Sequence, residues 1–119
     1  MSVADGIPPV DLVTMRDTVR RVIGPGAQPP SGADLDVLTS ALRGHIELIV
    51  PVVEQAARKL PRYYPLRNGG LVAVWAARKK LSVAVGPGPE GAAEHAVELA
   101  YALGELCARY ESLRPVGLA

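Results

Sequence analysis

The sequence predicts an all-α protein, an antiparallel four-helix bundle or a close variant, on three observations. Glycine and proline cluster at three places, 24–32 (GPGAQPPSG), 61–70 (PRYYPLRNGG) and 86–91 (GPGPEG). The segments before, between and after them repeat apolar residues every three or four positions, the period of an amphipathic helix. Connections of about 5 to 10 residues favour antiparallel neighbours.

The first helix is expected over 9–23. Leu12, Met15, Val19, Val22 and Ile23 share one side, and prolines are tolerated only in its first turn. The second is long, 32–60, opened by Ser31 as N-cap with Asp34 three residues on, a pattern that resembles a capping box. At 100° per residue Arg43, Asp36, Glu54, Glu47, Ser40 and Arg58 fall on one narrow polar arc. Leu35, Leu38, Leu42, His45, Ile49, Val52, Val53, Ala56 and Leu60 fill most of the rest. Pro51 lacks a backbone donor, so a bend is expected near it.

The third helix is read over 70–85, with Ala73, Val74, Ala77, Leu81, Ala84 and Val85 as its core face. Its β-branched Val72, Val74, Val83 and Val85 would also suit a short strand at either end. The fourth is read over 89–113, started by Pro89. Its polar stripe is thin, Glu94, Glu98, Glu105, Arg109 and Ser112, which predicts packing on two sides. If the second and fourth helices form the buried pair, their wide apolar arcs also offer a surface to a symmetric partner.

Length and composition bound the function. A chain of 119 residues suits one domain, here taken as 1–119. Its single cysteine, Cys107, excludes a disulfide framework and paired-cysteine metal motifs, and makes a cytoplasmic setting the simplest expectation. No secretory leader or membrane-spanning run is visible. A net charge of +1 gives no strong global field for nucleic acid or membrane. Hydrophobic residues make up 49% of the chain, with no phenylalanine, so small side chains dominate the core. Apolar surface in excess of what one small domain can hide marks an interface, and the first functional expectation is a homodimer.

Chemistry-bearing residues are few. Between Glu54 and Glu90 there is no acidic residue, while Arg58, Lys59, Arg62, Arg67, Arg78, Lys79 and Lys80 all fall there with Tyr63, Tyr64 and Trp75 interleaved. Cations beside aromatic faces suit an anionic aromatic ligand or single-stranded nucleic acid. The plainer reading has these cations facing Glu94, Glu98 and Glu105 of the fourth helix, or water. Trp75, with Arg78 and Lys79 one turn on, is a candidate anchor for a partner or ligand. Against that stands the preferred expectation that a lone tryptophan packs in the core beneath the 61–65 loop.

His45 and His95 lie on or at the edge of apolar arcs, and Cys107 shares a broad face with His95. Their spacing matches no di-iron, haem or zinc pattern, so they read as hydrogen-bonded interior residues, with no metal and no cofactor expected. Cys107, in a helix interior, reads as a small hydrophobe. The glycine-rich turns alternate with proline, which removes the donors a phosphate cradle needs. No catalytic set emerges.

The run PRYYPLRNGGLVAVWAARKKL (61–81), with the long helix before it, resembles a family of small actinobacterial proteins of unknown function, sometimes labelled "natural product biosynthesis protein". The likeness spans about Arg16 to the end. It implies a cytoplasmic protein of an antibiotic-producing bacterium and transfers no catalytic residue. The leading expectation is a non-enzymatic accessory or regulatory protein acting through protein–protein contacts. The alternatives are a metabolite-binding protein using Trp75, Tyr63, Tyr64, Arg62 and Arg67, and, more weakly, nucleic-acid binding through the basic middle.

Overall fold

The computed structural model describes residues 10–28 and 30–118, with side chains as far as Arg114. Four helices account for the regular structure: α1 (Leu12–Ile23), α2 (Gly32–Arg58), α3 (Pro65–Ser82) and α4 (Gly88–Leu118). No strand occurs among the described residues, so the valines around α3 do not take up the strand alternative. The predicted start of the first helix at residue 9 lies outside the described residues. Asp11 caps α1, its Oδ1 accepting from Thr14 N at 3.0 Å and its Oδ2 from Thr14 Oγ at 2.7 Å. Ser31 takes the N-cap position of α2 but makes no side-chain cap bond, so no capping box closes there.

α2 and α4 form the most extensive pair. α1 and α3 each pack on both of them and not on each other. At about 1.5 Å per residue, the 31 residues of α4 span roughly 46 Å, equal to the longest dimension of the molecule, 46 Å. Leu42, Ile46, Ile49 and Val53 of α2 meet Leu99, Leu103, Leu106, Tyr110 and Leu113 of α4, with Met15 of α1 inserted; all are buried. Burying each such side chain stabilises the fold by about 1.5–3 kcal/mol. The core face of α2 is also shifted from the expected arc: Ile46, Val50 and Ala57 are buried, while Leu38, His45 and Val52 are only half-buried. α2 continues as one helix through Pro51, which faces outward.

The third helix departs most from expectation. It begins at Pro65, not 70, because Pro65 is a good first-turn residue and the two glycines that suggested a loop sit inside the helix. Each glycine costs a helix about 1 kcal/mol, and packing explains why they are kept. A Cβ on Gly70 would lie 3.1 Å from Ala57 Cβ and 3.4 Å from Leu113 Cδ1, so Gly70 lets α3 close on α2 and α4. Gly69 lies against the Arg109 guanidinium. The helix ends at Ser82, and Val83 is extended. Ala84 and Val85, expected in the core, are exposed in the connection. α4 runs on past Leu113 to Leu118, five residues beyond its predicted end.

Candidate functional site

The outer side of α3 gathers part of what the sequence singled out. Val72, Trp75 and Lys79 recur at three- and four-residue spacing, opposite the core-facing Gly70, Ala73 and Ala77. Trp75 is 63% exposed and Val72 64%, which overturns the expectation that the indole packs beneath the 61–65 segment. That segment leads into α3 about 16 Å along its axis from Trp75, beyond reach of the indole. Lys79 Nζ stands 4.9 Å from the indole centroid, a cation–π contact worth about 0.5–1 kcal/mol at an exposed site.

Arg78 points elsewhere. Its Nη1 and Nη2 donate to the two carboxylate oxygens of Glu54 at 3.1 and 2.8 Å, while Arg58 donates to the same carboxylate at 3.1 Å. These bonds hold Glu54 well below the usual carboxylate range, at about 2, with Arg78 the larger cause. Part of the polar arc of α2 is therefore a seam with α3. Arg43 Nη2 extends it by donating to Leu81 O at 3.0 Å. Of the acidic residues of α4 expected to face those cations, Glu98 meets Lys80 at 3.4 Å, whereas Glu105 pairs along its own helix with Arg109 at 2.7 Å.

Tyr63 and Tyr64 stack edge to face, centroids 5.4 Å apart, at the start of α3. Tyr63 and Arg62 are exposed; Arg67 is half-buried, with Nε sealed from water and unpartnered. The aromatic residues and cations proposed to clasp a metabolite are thus spread along the outside of α3. None of them lines a cavity described below.

The histidines separate. His45 is half-buried, and its Nε2 lies 3.4 Å from Thr18 Oγ, whose own proton goes to Thr14 O at 3.1 Å. The remaining interaction, a long one, has Nε2–H donating to the hydroxyl oxygen and ties α2 to α1. His95 is only 6% exposed, and its Nε2 is buried without a partner. Cys107 is buried, and burial pushes its thiol pKa up, the opposite of activation. No group of three potential metal ligands exists among the described residues.

Sequence reasoning missed a set of hollows at the end of the bundle where α2 and α4 begin. One, of about 310 Å³, is lined by Leu35, Asp36, Thr39, Ser40, Val85, Ala92 and His95. A second, of about 290 Å³, shares Leu35, Asp36 and Ala92 with it and extends to Ser31 and Pro89. The available signal was the grouping of Asp36, Thr39 and Ser40 at helical spacing. Which helix end faces them is not encoded locally.

A family model, described as a family of unknown function (DUF6415), matches residues 13–115. No curated protein and no solved structure matches the chain. No helix of the described residues is long and apolar enough to cross a membrane.

Proposed function

We propose that the chain, which belongs to the DUF6415 family of unknown function, is a non-enzymatic accessory or regulatory protein that acts through protein–protein contact. Its first partner is a second copy of itself, docked on the outer face of α3. The observation that carries this reading is the exposure of Trp75 and Val72 on one side of that helix. An exposed indole with an adjacent aliphatic residue is the composition of an interface anchor. Covering the open part of Trp75 removes on the order of 100 Å² of apolar surface, about 2–3 kcal/mol per copy.

A two-fold axis crossing α3 midway between Val72 and Trp75 also bisects the helix Pro65–Ser82. Two copies then overlap over the whole helix, with Val72 on Trp75 of the second copy and Lys79 beside its Asn68. The two Lys79 side chains stand about 16 Å apart along the axis, roughly two screening lengths at physiological ionic strength. Arg78 and Lys80 are occupied by Glu54 and Glu98, which reduces the repulsion between copies and also weakens the nucleic-acid reading. The link to secondary metabolism rests on the sequence resemblance alone.

The test is light scattering and native mass spectrometry at micromolar concentration, on the wild type and on Trp75→Glu. The expected result is a dimer that the substitution converts to a folded monomer, with a blue shift of Trp75 emission as the wild type associates. A monomeric wild type, or a dimer that survives Trp75→Glu, refutes the assignment.

A further inference from the structure

The face of α2 turned away from the core carries no charge. With Ile46, Ile49 and Val53 directed into the bundle, a step of 100° per residue puts Val37, Gly44, Leu48, Pro51 and Gln55 on the opposite side, and all five are exposed. Between Asp34 and Arg58, about six turns apart, no charged residue falls on that side. A helix face left in water ordinarily holds the charged residues. Those of α2 lie to one flank, where Glu54 and Arg43 bond to α3. Leu48 is 61% and Val37 67% exposed. We propose that this face is a weak self-association surface, separate from that on α3. A second copy of α2 packs antiparallel on it, with Leu48 of each copy seated over Gly44 of the other.

Two observations choose that occupant. The first is Gly44 itself. Glycine in mid-helix destabilises it relative to alanine, and at Gly70 the closeness of Ala57 and Leu113 explains the residue. At Gly44 nothing lies within 4 Å of an added Cβ, and its φ is not positive. Neither packing within the chain nor backbone conformation asks for glycine there. Its effect is a depression on the helix surface between Ala41 and Leu48, open to a side chain of an approaching helix.

The second is charge complementarity, which sets direction and register. α2 begins with exposed Asp34 and Asp36 and ends with exposed Arg58 and Lys59. A two-fold axis at the level of Ile46 sets Leu48 opposite Gly44, Pro51 opposite Ala41 and Val37 opposite Gln55 of the second copy. In the same register Asp34 lies beside Lys59 of that copy, and Asp36 beside its Arg58, which also donates to Glu54. A parallel pair would instead bring like charges together at both ends. The large residue, the depression that receives it and both signs of charge are thus all supplied by one helix, which is what a self-complementary contact requires.

The seam has no aromatic anchor and its charge pairs are exposed, so its dissociation constant is on the order of 0.1–1 mM. It is therefore sparsely occupied in the micromolar range. Since the outer faces of α2 and α3 belong to different helices, both contacts can form at once and join pairs of chains into larger assemblies.

The experiment is sedimentation velocity of the full chain from about 10 μM to about 1 mM, a range that brackets this affinity. The expected result is a weight-average mass that climbs above its low-concentration value. Leu48→Glu, an exposed position whose fold is checked by circular dichroism, should abolish the climb and leave the mass at the lowest concentration unchanged. Gly44→Leu should abolish it too, although it adds apolar surface, while melting at or above the wild-type temperature. Asp34→Lys should weaken the association about tenfold, since two exposed pairs become repulsive. Trp75→Glu should leave the climb in place, now from monomer to dimer. A wild type that is monomeric at the lowest concentration and climbs only through Leu48 would refute the α3 docking reading and uphold this one. A mass that stays flat, or a climb that survives Leu48→Glu, overturns it. Equal or stronger association of Gly44→Leu would mean indiscriminate apolar adhesion, and overturns it as well.

Discussion

Replacing Glu54 by glutamine removes the charge that joins α2 to α3. In the folded protein this carboxylate accepts three hydrogen bonds, two from Arg78 and one from Arg58, and is held at about 2 against an ordinary value of 4.5. Converted at about 1.36 kcal/mol per pKa unit, that depression corresponds to an upper bound of roughly 3.4 kcal/mol. The Arg78 and Arg58 side chains are 53% and 59% exposed. Solvent screening therefore reduces the expected loss to about 1–1.5 kcal/mol at neutral pH and low salt. For a chain of this size that is a fall in melting temperature of about 3–8 °C. Because the folded pKa is lowered, the stabilisation is full above about pH 4.5 and disappears as the pH falls towards about 2. Thermal unfolding of wild type and Glu54→Gln, followed by circular dichroism from pH 7 to pH 2, should show two curves that converge on acidification. Comparing the pair cancels the contributions of Asp11 and Glu111, which are also held low by their own hydrogen bonds. A difference that does not change with pH, or none at pH 7 in low salt, would refute the ion-pair account of this seam.

Leu103→Ala should lower stability by about 2–5 kcal/mol in denaturant titration, because the side chain is fully buried at the centre of the α2–α4 interface and leaves a cavity. Gly91→Ala should destabilise by about 1–3 kcal/mol despite the higher helix propensity of alanine, since the new Cβ runs into the backbone of Gly86; a melting temperature at or above that of the wild type would contradict this. Cys107, buried and with its thiol pKa raised, should stay unmodified by an aromatic disulfide reagent at pH 8 until the protein is unfolded. Rapid labelling of the native protein would show that α4 opens locally.

Helix period and turn composition made the four helices legible, because both signals are local. The family likeness was legible for the same reason, in the continuous run 61–81. What failed were inferences that depend on a second element. Gly69 and Gly70 read as a turn, since their reason for standing inside a helix lies in Ala57, Leu113 and Arg109, on other helices. The polar arc of α2 read as one solvated stripe, yet Glu54 and Arg43 bond to α3, because a seam between helices and a face towards water share the same composition. Trp75 read as core on the argument that a lone large aromatic residue should be buried. Periodicity already placed it outside the inward arc of its helix, and the structure follows the periodicity.

The same comparison separates the outer face of α3 from the cleft between α2 and α4. On α3 the relevant residues lie on one helix, so spacing alone could bring Val72, Trp75 and Lys79 together before any tertiary structure was known. At the cleft, Asp36 and His95 belong to different helices 59 positions apart in the sequence, and only the packing of α2 against α4 brings them to one wall.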